Sequence, residues 1–353
     1  MSTLALPTVD EEIWRYSRIG ELELDSFKLG KLSTKVDASS AAKQIISSTT
    51  NVVSRTSTDI FEDLNGQHAQ LTAITTAKNQ VVAEPIVITH WLDESGVVAY
   101  SRLVVEANEN SEVTIVERFV SSADAKSLIV PVVDVRAAQS ARVTYVAINE
   151  LGAATWQIGY QQAVGQRDST MQMFTVALGG DYARMRAEVR LEGQGASAQQ
   201  VALYFADENQ MHDFRTLQDH AAPRTHSNLL FKGAVKDTAK SVYTGLIRIR
   251  ENATKSEAFQ TNRNLTLSNG AWAESVPNLE IETNDVKCSH ASTVGPIDEE
   301  QRFYLESRGI QPEIAERLVV LGFFDEVLNR LPALPFIAGL RERVSTKLLG
   351  AKS

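Results

Sequence analysis

The chain has a single cysteine, and a histidine follows it two positions later. Both lie in the stretch NDVKCSH, residues 284–290, where Ser289 separates Cys288 from His290. A thiolate and an imidazole are ligands that iron and zinc accept, and histidine replaces thiolates at some iron-sulfur clusters. The pair is therefore a candidate for half of a metal or cluster site. On the chemistry of these residues alone, the favoured interpretation is that Cys288 is a small buried hydrophobe beside a hydrogen-bonded histidine.

The segment that leads to this pair has the pattern of a β-strand. Leu279 and Ile281 alternate with polar residues. If this alternation continues, Val286, Cys288 and His290 share one face of a strand. One thiol cannot supply the four protein ligands that a cluster normally takes. If the pair binds a cluster, we expect a second chain to provide the remaining ligands.

Three further histidines fall close together, in MHDFRTLQDHAAPRTHSN. His212, His220 and His226 are spaced by eight and six residues, and these spacings match no zinc motif. The chain is predicted below to form a stack of repeated coils. We expect these histidines to lie on turns and polar faces of neighbouring coils and to form hydrogen bonds from one coil to the next.

A glycine-rich stretch matches the dinucleotide-binding fingerprint G-x-G-x-x-G/A in its letters, at Gly193, Gly195 and Ala198. The fingerprint requires a helix that begins at the glycines. Here Val201 and Leu203 alternate with other residues as in a strand. The sequence therefore predicts a turn followed by a strand, without nucleotide binding.

Other enzyme signatures are also missing from the sequence. It contains neither a G-x-x-x-x-G-K-[ST] phosphate loop nor a G-x-S-x-G nucleophile elbow. Any ATP chemistry must therefore come from a partner. A carbohydrate lyase or hydrolase is the alternative from the enzyme class, but it needs paired carboxylates or a calcium site in an exposed groove. The strand-like segments show no dense ladder of carboxylates.

Composition limits the remaining classes. Of the 353 residues, 43% are hydrophobic and 22% charged, and the net charge is -9. This charge argues against nucleic-acid binding, which needs a concentrated basic surface. No apolar run approaches the roughly 18 residues of a membrane helix, and the acidic N-terminus resembles neither a signal nor a transit peptide. We therefore expect a cytoplasmic protein.

The chain divides by composition into three predicted segments. Residues 1–44 have the character of an N-terminal helical or irregular arm, with a short helical pattern between Asp10 and Ile19. Residues 45–291 are rich in Val, Ile, Thr and Tyr, which is typical of strands. Residues 292–353 have helical periodicity.

Turn-like stretches recur within the strand-rich segment, at Ser111, Ser140, Ser197 and Thr254. Their spacings are 29, 57 and 57 residues, or about one, two and two units of about 28 to 29 residues. A fixed period of this size favours a solenoid, in which each unit buries its apolar face on the next. We expect a parallel β-helix, with a large β-sandwich as the alternative.

The C-terminal segment has clear helix boundaries. Asp298 has the position of an N-cap with Gln301 three residues later, and Gly309 is the predicted stop. Pro312 is then the predicted first residue of a second helix. Its apolar stripe comprises Ile314, Leu318, Leu321, Val327, Leu328 and Leu331.

A last helix is predicted after Pro335. Its apolar positions are Ile337, Leu340, Val344 and Leu348. Helices with this much apolar surface either pack on the β-rich segment or offer a groove to a partner.

Residues from about 204 to 331 resemble a known family. NDVKCSHASTVGPIDEEQRFYLESRGI closely resembles the signature of the SufD branch of the SufB/SufD family, scaffold subunits of the SUF system for iron-sulfur cluster assembly. HDFRTLQDHAAPRTHSNLLFKGAVKDTAKSVYTGLIRI and AFQTNRNLTLSNGAWAESVPNLEI are similar to the rest of the family's core, and EEIWRYSRI resembles its N-terminal E-E-W-R-Y-T. SufB reads roughly F-E-H-E-A-T-T-S-K-I and then F-Y-C, where this chain has Cys288-Ser-His290 and Phe303-Tyr304-Leu305.

The resemblance implies a mainly β fold, with a right-handed parallel β-helix core between a short N-terminal helical arm and a C-terminal helical domain. It also implies a heterodimer with SufB through the β-helix. The ATPase SufC is expected to dock on the C-terminal helices and to hydrolyse ATP there, which would leave this chain as a noncatalytic scaffold.

By position, Cys288 and His290 resemble the pair that the family places at the SufB interface. The resemblance implies that they ligate iron or a nascent, transient cluster shared with SufB. Phe303, Tyr304, Arg308 and Gly309 lie in the expected SufC-docking segment. A homodimer of the isolated chain stays open, as does a purely structural subunit without ligands. Flavin has been linked to the family's complex, but the sequence has no flavin motif.

Overall fold

Residues 4–49, 57–332 and 339–349 are described by a computed structural model, and most of them form a two-sheet parallel β-helix. Successive long strands alternate between the sheets, so each coil supplies one strand to each sheet. Parallel strands need a long crossover connection, and here the strand of the opposite sheet is that connection. The prediction of a parallel β-helix is thereby confirmed, and the β-sandwich, whose sheets are antiparallel, is excluded.

The first sheet, sheet A, holds the even-numbered strands from β4 onward and two short strands. Its members are β1 (Lys28–Leu29), β3 (Ile46–Ser47), β4 (Gln70–Thr75), β6 (Val97–Ala107), β8 (Leu128–Ala137), β10 (Trp156–Gly165), β12 (Tyr182–Leu191), β14 (Met211–His220), β16 (Lys240–Ile249) and β18 (Trp272–Ile281).

The second sheet, sheet B, holds the odd-numbered strands from β5 onward and β2. Its members are β2 (Ser33–Asp37), β5 (Ile86–Leu92), β7 (Glu112–Ser121), β9 (Arg142–Glu150), β11 (Thr170–Ala177), β13 (Ser197–Ala206), β15 (His226–Val235), β17 (Ser256–Thr266) and β19 (Val286–Gly295). The antiparallel pairs β2–β5 and β3–β4 lie at the N-terminal end.

One turn of each coil requires a left-handed backbone. Residues with positive φ recur there at Asn110, Ser140, Asp168, Gly195 and Arg224, one for each coil. Turns were predicted at Ser140, Ser197 and Thr254, at intervals of two repeat units. The turns at Asp168 and Arg224 lie about halfway along these two intervals. The stack therefore has the regular period that the sequence predicted, with these two turns supplying the missing repeats.

Three 3₁₀ turns of the N-terminal part, Glu12–Trp14, Ile19–Glu21 and Leu24–Ser26, pack with the helix α2 (Ile60–His68) on the outer face of sheet A. The short helix α1 (Ser40–Lys43) lies elsewhere, because its Ala42 joins the inner cluster between the two sheets. The helical pattern expected from Asp10 to Ile19 is thus interrupted, because Tyr16 adopts a left-handed conformation with φ 69°. Trp14 is buried and packs on Phe61, with ring centroids 5.6 Å apart.

The C-terminal helices α3 (Glu299–Ser307), α4 (Pro312–Leu328) and α5 (Leu340–Leu349) follow the last strand. The Asp298 side chain accepts hydrogen bonds from the backbone N–H groups of Glu300 and Gln301, which confirms the N-cap. Pro312 begins α4, and Gly309, with φ 84°, lies just beyond the end of α3, as the sequence predicted.

Helices α4 and α5 pack on the outer face of sheet B. Their buried side chains join one hydrophobic cluster with strands β7 to β15; the helical members include Val320, Phe324, Val327, Leu340 and Val344. Lys347 of α5 donates hydrogen bonds to the carbonyl of Leu178 and to Asp207 and Gln210. Both apolar packing and polar anchors therefore hold α5 on the β-helix.

The predicted stripe of α4 is correct only in its C-terminal half. Val327 and Leu328 are buried, whereas Ile314 and Leu318 are exposed. The helix is apolar on more than one side, and the side that includes Val320 and Phe324 contacts sheet B. Pro335 and Ile337, the predicted beginning of the last helix, lie outside the described residues.

Candidate functional site

Cys288 and His290 lie on β19, the last strand of sheet B. In register, Cys288 pairs with Ala258 and His290 pairs with Gln260. Val286 and Cys288 pack against a buried cluster that includes Ile247, Ile249 and Ala258, so this face of β19 is the inner one. By strand alternation His290 shares that face.

The two candidate ligands differ in their exposure. Cys288 is half-buried and its thiol is free, whereas His290 is exposed. Burial raises the pKa of the Cys288 thiol, which favours the protonated form. Because a metal binds the thiolate, ligation at Cys288 must release a proton.

Nothing else in the described ranges completes a conventional metal site. Within residues 4–49, 57–332 and 339–349, no group of three or more His, Cys, Asp and Glu side chains could hold a metal ion. The arrangement offers a soft thiol and an imidazole at the open end of the β-helix, which suits a site completed from outside.

The last strand of each sheet has one unpaired edge. Within the described residues, β18 pairs only with β16 and β19 pairs only with β17. Several large apolar side chains are exposed there, namely Trp272, Leu279, Ile281 and Val294. An open sheet edge presents unpaired N–H and C=O groups, so it is a template for strands of another chain.

The helix α3 carries a second exposed surface. The exposed fractions of Phe303 and Tyr304 are 71% and 56%. Arg308 stacks on the Tyr304 ring, with its guanidinium carbon 4.7 Å from the ring centroid. Ile314 and Leu318 of α4 are also exposed. We call Phe303, Tyr304, Ile314 and Leu318 the α3–α4 patch.

The other histidines have separate environments. His212 and His220 face the interior of the β-helix and are buried. Nε2 of His212 is 3.2 Å from the Gly179 carbonyl oxygen, while His220 contacts the hydroxyls of Thr225 and Ser227 at 2.7 Å. Burial lowers their pKa values to about 3 and about 4. These two histidines therefore lie on inner strand faces rather than on turns, because their hydrogen-bond partners are inside.

His226 lies apart from them at the start of β15. It is exposed, and its Nδ1 is 3.8 Å from a carboxylate oxygen of Glu257. The three histidines thus do not converge, and the part of the chain that the structure describes holds no metal cluster around them.

The glycine-rich stretch forms a turn, as predicted. Gly195 has φ 74°, and β13 begins at Ser197 without a helix. At Gly193 a Cβ atom would lie 1.9 Å from the backbone nitrogen of Arg167. This glycine is therefore required by the close approach of the neighbouring coil.

Sequence reasoning overlooked a row of amides on β17. Gln260, Asn262 and Asn264 alternate along the strand and are all buried. Their spacing of two residues, visible as QTNRN in the sequence, was a signal for an inward-facing polar row. Gln260 is the member next to His290.

Comparisons with known proteins show the family to which the chain belongs. A family model described as "SUF system FeS cluster assembly, SufBD core domain" matches residues 87–323. An iron-sulfur cluster assembly SufBD family protein from Mycobacterium tuberculosis is 40% identical over 285 residues, which is 78% of this chain and 70% of that protein.

Two relatives carry the name iron-sulfur cluster assembly protein SufD. The Escherichia coli protein is 29% identical over 82% of this chain and 69% of its own length. The Bacillus subtilis protein is 30% identical over 72% of this chain and 59% of its own length. None of the helices in the described residues is long and apolar enough to cross a membrane. The chain belongs to the SufBD family of SUF-system iron-sulfur cluster assembly proteins, and it is SufD-like within that family.

Proposed function

We propose that this chain is a noncatalytic scaffold subunit of a cytoplasmic SUF assembly complex, in which it pairs with SufB and docks the ATPase SufC. The observation that carries this proposal is the position of Cys288 and His290 on the terminal strand β19. A thiol and an imidazole, the side chains that we propose as ligands, lie there at an open sheet edge, where another protein can supply further ligands.

The open end of the β-helix is the proposed SufB-binding surface. Both sheets end in strands with one unpaired edge, and Ile281 and Val294 expose apolar area beside them. Edge strands of a second β-helix could continue both sheets through main-chain hydrogen bonds. A SufB subunit with the same architecture would then face His290 directly.

The α3–α4 patch is the proposed SufC-binding surface. Tyr and Phe are enriched at protein interfaces, and Tyr is also frequent among the side chains that dominate binding energy; Phe303 and Tyr304 are adjacent and exposed on α3. Because α4 is anchored on sheet B, motion of a bound SufC would be transmitted to the β-helix. The chain has no phosphate-binding loop of its own.

In this function the cluster is cargo. The Cys288 thiolate and the His290 imidazole would ligate iron or a nascent cluster while SufB supplies the other ligands, and the Cys288 proton would leave when iron binds. These two residues bind and orient the cargo, while SufC hydrolyses ATP.

Co-expression tests the proposed assembly. The chain, carrying an affinity tag, is expressed with SufB and SufC from the same organism, and the eluate is analysed by gel filtration and mass photometry. We expect one complex that contains all three proteins. A chain that retains neither SufB nor SufC would contradict the proposal.

A further inference from the structure

The interior between the last two coils contains a buried amide directly beside His290. Gln260 of β17 is the register partner of His290 on β19, and its side chain is only 2% exposed. Its neighbour two residues earlier, Ala258, packs in the same interior cluster as Cys288. Because residues two apart on a strand share a face, Gln260 points into the same interior as Cys288 and His290.

The Gln260 side chain reaches across the interior to sheet A. It meets Gly245 of β16, where a Cβ atom would lie 2.5 Å from Gln260 Nε2 and 2.3 Å from the Tyr243 hydroxyl. Any larger residue at position 245 would displace the amide. The missing side chain of Gly245 therefore creates the space in which the amide lies.

The amide has no partner in this space. Neither Nε2 nor Oε1 of Gln260 forms a hydrogen bond among the described residues, and both atoms are shielded from solvent. Buried polar groups normally have partners, and an unpaired one is destabilising.

The neighbouring amides of β17 show that this strand can satisfy its polar groups. Asn262 donates to the Tyr204 hydroxyl at 2.9 Å, and Tyr204 donates to Asn264 at 2.6 Å. Gln260 differs from these two in having no hydrogen-bond partner, and it is the amide that pairs in register with His290 on the terminal strand. Its missing partner points to a ligand at the candidate site.

We propose that Gln260 forms the inner wall of the Cys288–His290 site. When one imidazole nitrogen of His290 ligates a metal, the Gln260 carboxamide oxygen accepts the proton of the other nitrogen, which fixes the tautomer and the ring orientation. The carboxamide N–H then donates to a sulfur atom of the bound group. This inference rests on the proposed function, and it makes Gln260 a positioning residue.

The full, untagged chain and Co²⁺ provide the test. Cys288 is the only cysteine, so a thiolate-to-cobalt charge-transfer band reports this site alone. Titrations compare the wild type, Gln260→Met and the double variant Cys288→Ala/His290→Ala. The matched control is Gln200→Met: Gln200 is buried in the same column two coils away, and its Nε2 donates to the Ala187 carbonyl at 3.2 Å.

We expect Gln260→Met to weaken Co²⁺ binding about tenfold and to raise the Tm of the metal-free chain by about 2 °C, because an unpaired amide is removed. Gln200→Met should leave the Co²⁺ affinity unchanged and should not raise the Tm. A purely structural role of Gln260 predicts the reverse, namely a lower Tm with unchanged affinity.

The positioning role of Gln260 can fail while the ligand role of Cys288 and His290 holds. A wild-type chain without a charge-transfer band, even at millimolar Co²⁺, would overturn this inference, whereas the ligand role in the complex with SufB is tested by the iron and sulfide content of that complex. A band that disappears in the double variant but keeps its wild-type affinity in Gln260→Met would overturn the inference alone.

Discussion

His290 and Gln260 are paired neighbours on the last two strands of sheet B, yet His290 is exposed while Gln260 is 2% exposed. The boundary between solvent and interior therefore passes between two adjacent coils. A group held at Cys288 and His290 would have a dry side, formed by this chain, and an open side, available to a partner.

If SufB binds at the open sheet edges, charged side chains introduced there should weaken its binding. The double variant Ile281→Lys/Val294→Lys adds two cations at exposed positions of β18 and β19, and lysine on an edge strand opposes pairing with another chain. We expect SufB to be lost from the co-purified complex while SufC is retained. Far-ultraviolet circular dichroism and Tm should stay close to wild type because both side chains are exposed.

Val81→Lys is the control for this experiment. Val81 is also an exposed valine, near the opposite end of the β-helix. This variant should retain SufB at the wild-type level. Equal retention of SufB by the double variant and the control would show that the interface lies elsewhere.

The α3–α4 patch predicts a separate effect on SufC. Phe303→Ala/Tyr304→Ala removes two aromatic side chains that make little contact with the rest of the chain. If they are hot-spot residues, SufC affinity should fall at least about 30-fold, or about 2 kcal/mol. Surface plasmon resonance with immobilised wild-type or variant chain measures this change.

Leu349→Ala is the control for this experiment, because it shortens an exposed apolar side chain on a different helix, α5. Its SufC affinity should equal that of the wild type. If both variants bind SufC as tightly as the wild type, the docking surface does not include α3.

The buried histidines predict loss of stability in acid. Burial lowers the pKa of His212 from 6.5 to about 3 and that of His220 from 6.5 to about 4. Below pH 6.5 the unfolded chain takes up protons at these sites that the folded chain does not, so stability falls with pH. At pH 5 each histidine lowers the free energy of unfolding by about 2 kcal/mol relative to pH 7.

His220→Gln tests this linkage, since glutamine can still bond to Thr225 and Ser227. Urea unfolding at pH 7 and pH 5 measures how much the free energy of unfolding falls between these two pH values. In His220→Gln this fall should be smaller than in the wild type by about 2 kcal/mol. Between pH 7.5 and 8.5 the two proteins should have the same pH dependence, because the imidazole is neutral in both states. An identical acid loss in both proteins would mean that His220 becomes charged while folded.

The sequence predicted much of the fold because the relevant signals are local. The turns at Ser140 and Gly195 repeat once per coil or at multiples of it, and Asp298 and Pro312 satisfy backbone requirements of their own helices. Such requirements depend on neighbouring residues, so they can be recognised without knowledge of the tertiary structure.

Other features depend on contacts that are distant in sequence. The environment of Gln260 is set by Gly245 on the opposite sheet, and no local pattern reveals that contact. Likewise, the exposed side of α4 could not be identified from its apolar residues, because contact with sheet B decides that Phe324 is buried and Leu318 is not.

The ligand role of Cys288 and His290 is the central claim, and the iron and labile sulfide content of the assembled complex tests it most directly. The complex is purified anaerobically with wild-type chain, Cys288→Ala/His290→Ala, or Ser289→Ala, whose side chain lies between the pair on the opposite face of β19. We predict that the double variant assembles with SufB and SufC but carries only background iron and sulfide, while Ser289→Ala carries wild-type amounts. Wild-type iron and sulfide in an intact complex of the double variant would contradict the account.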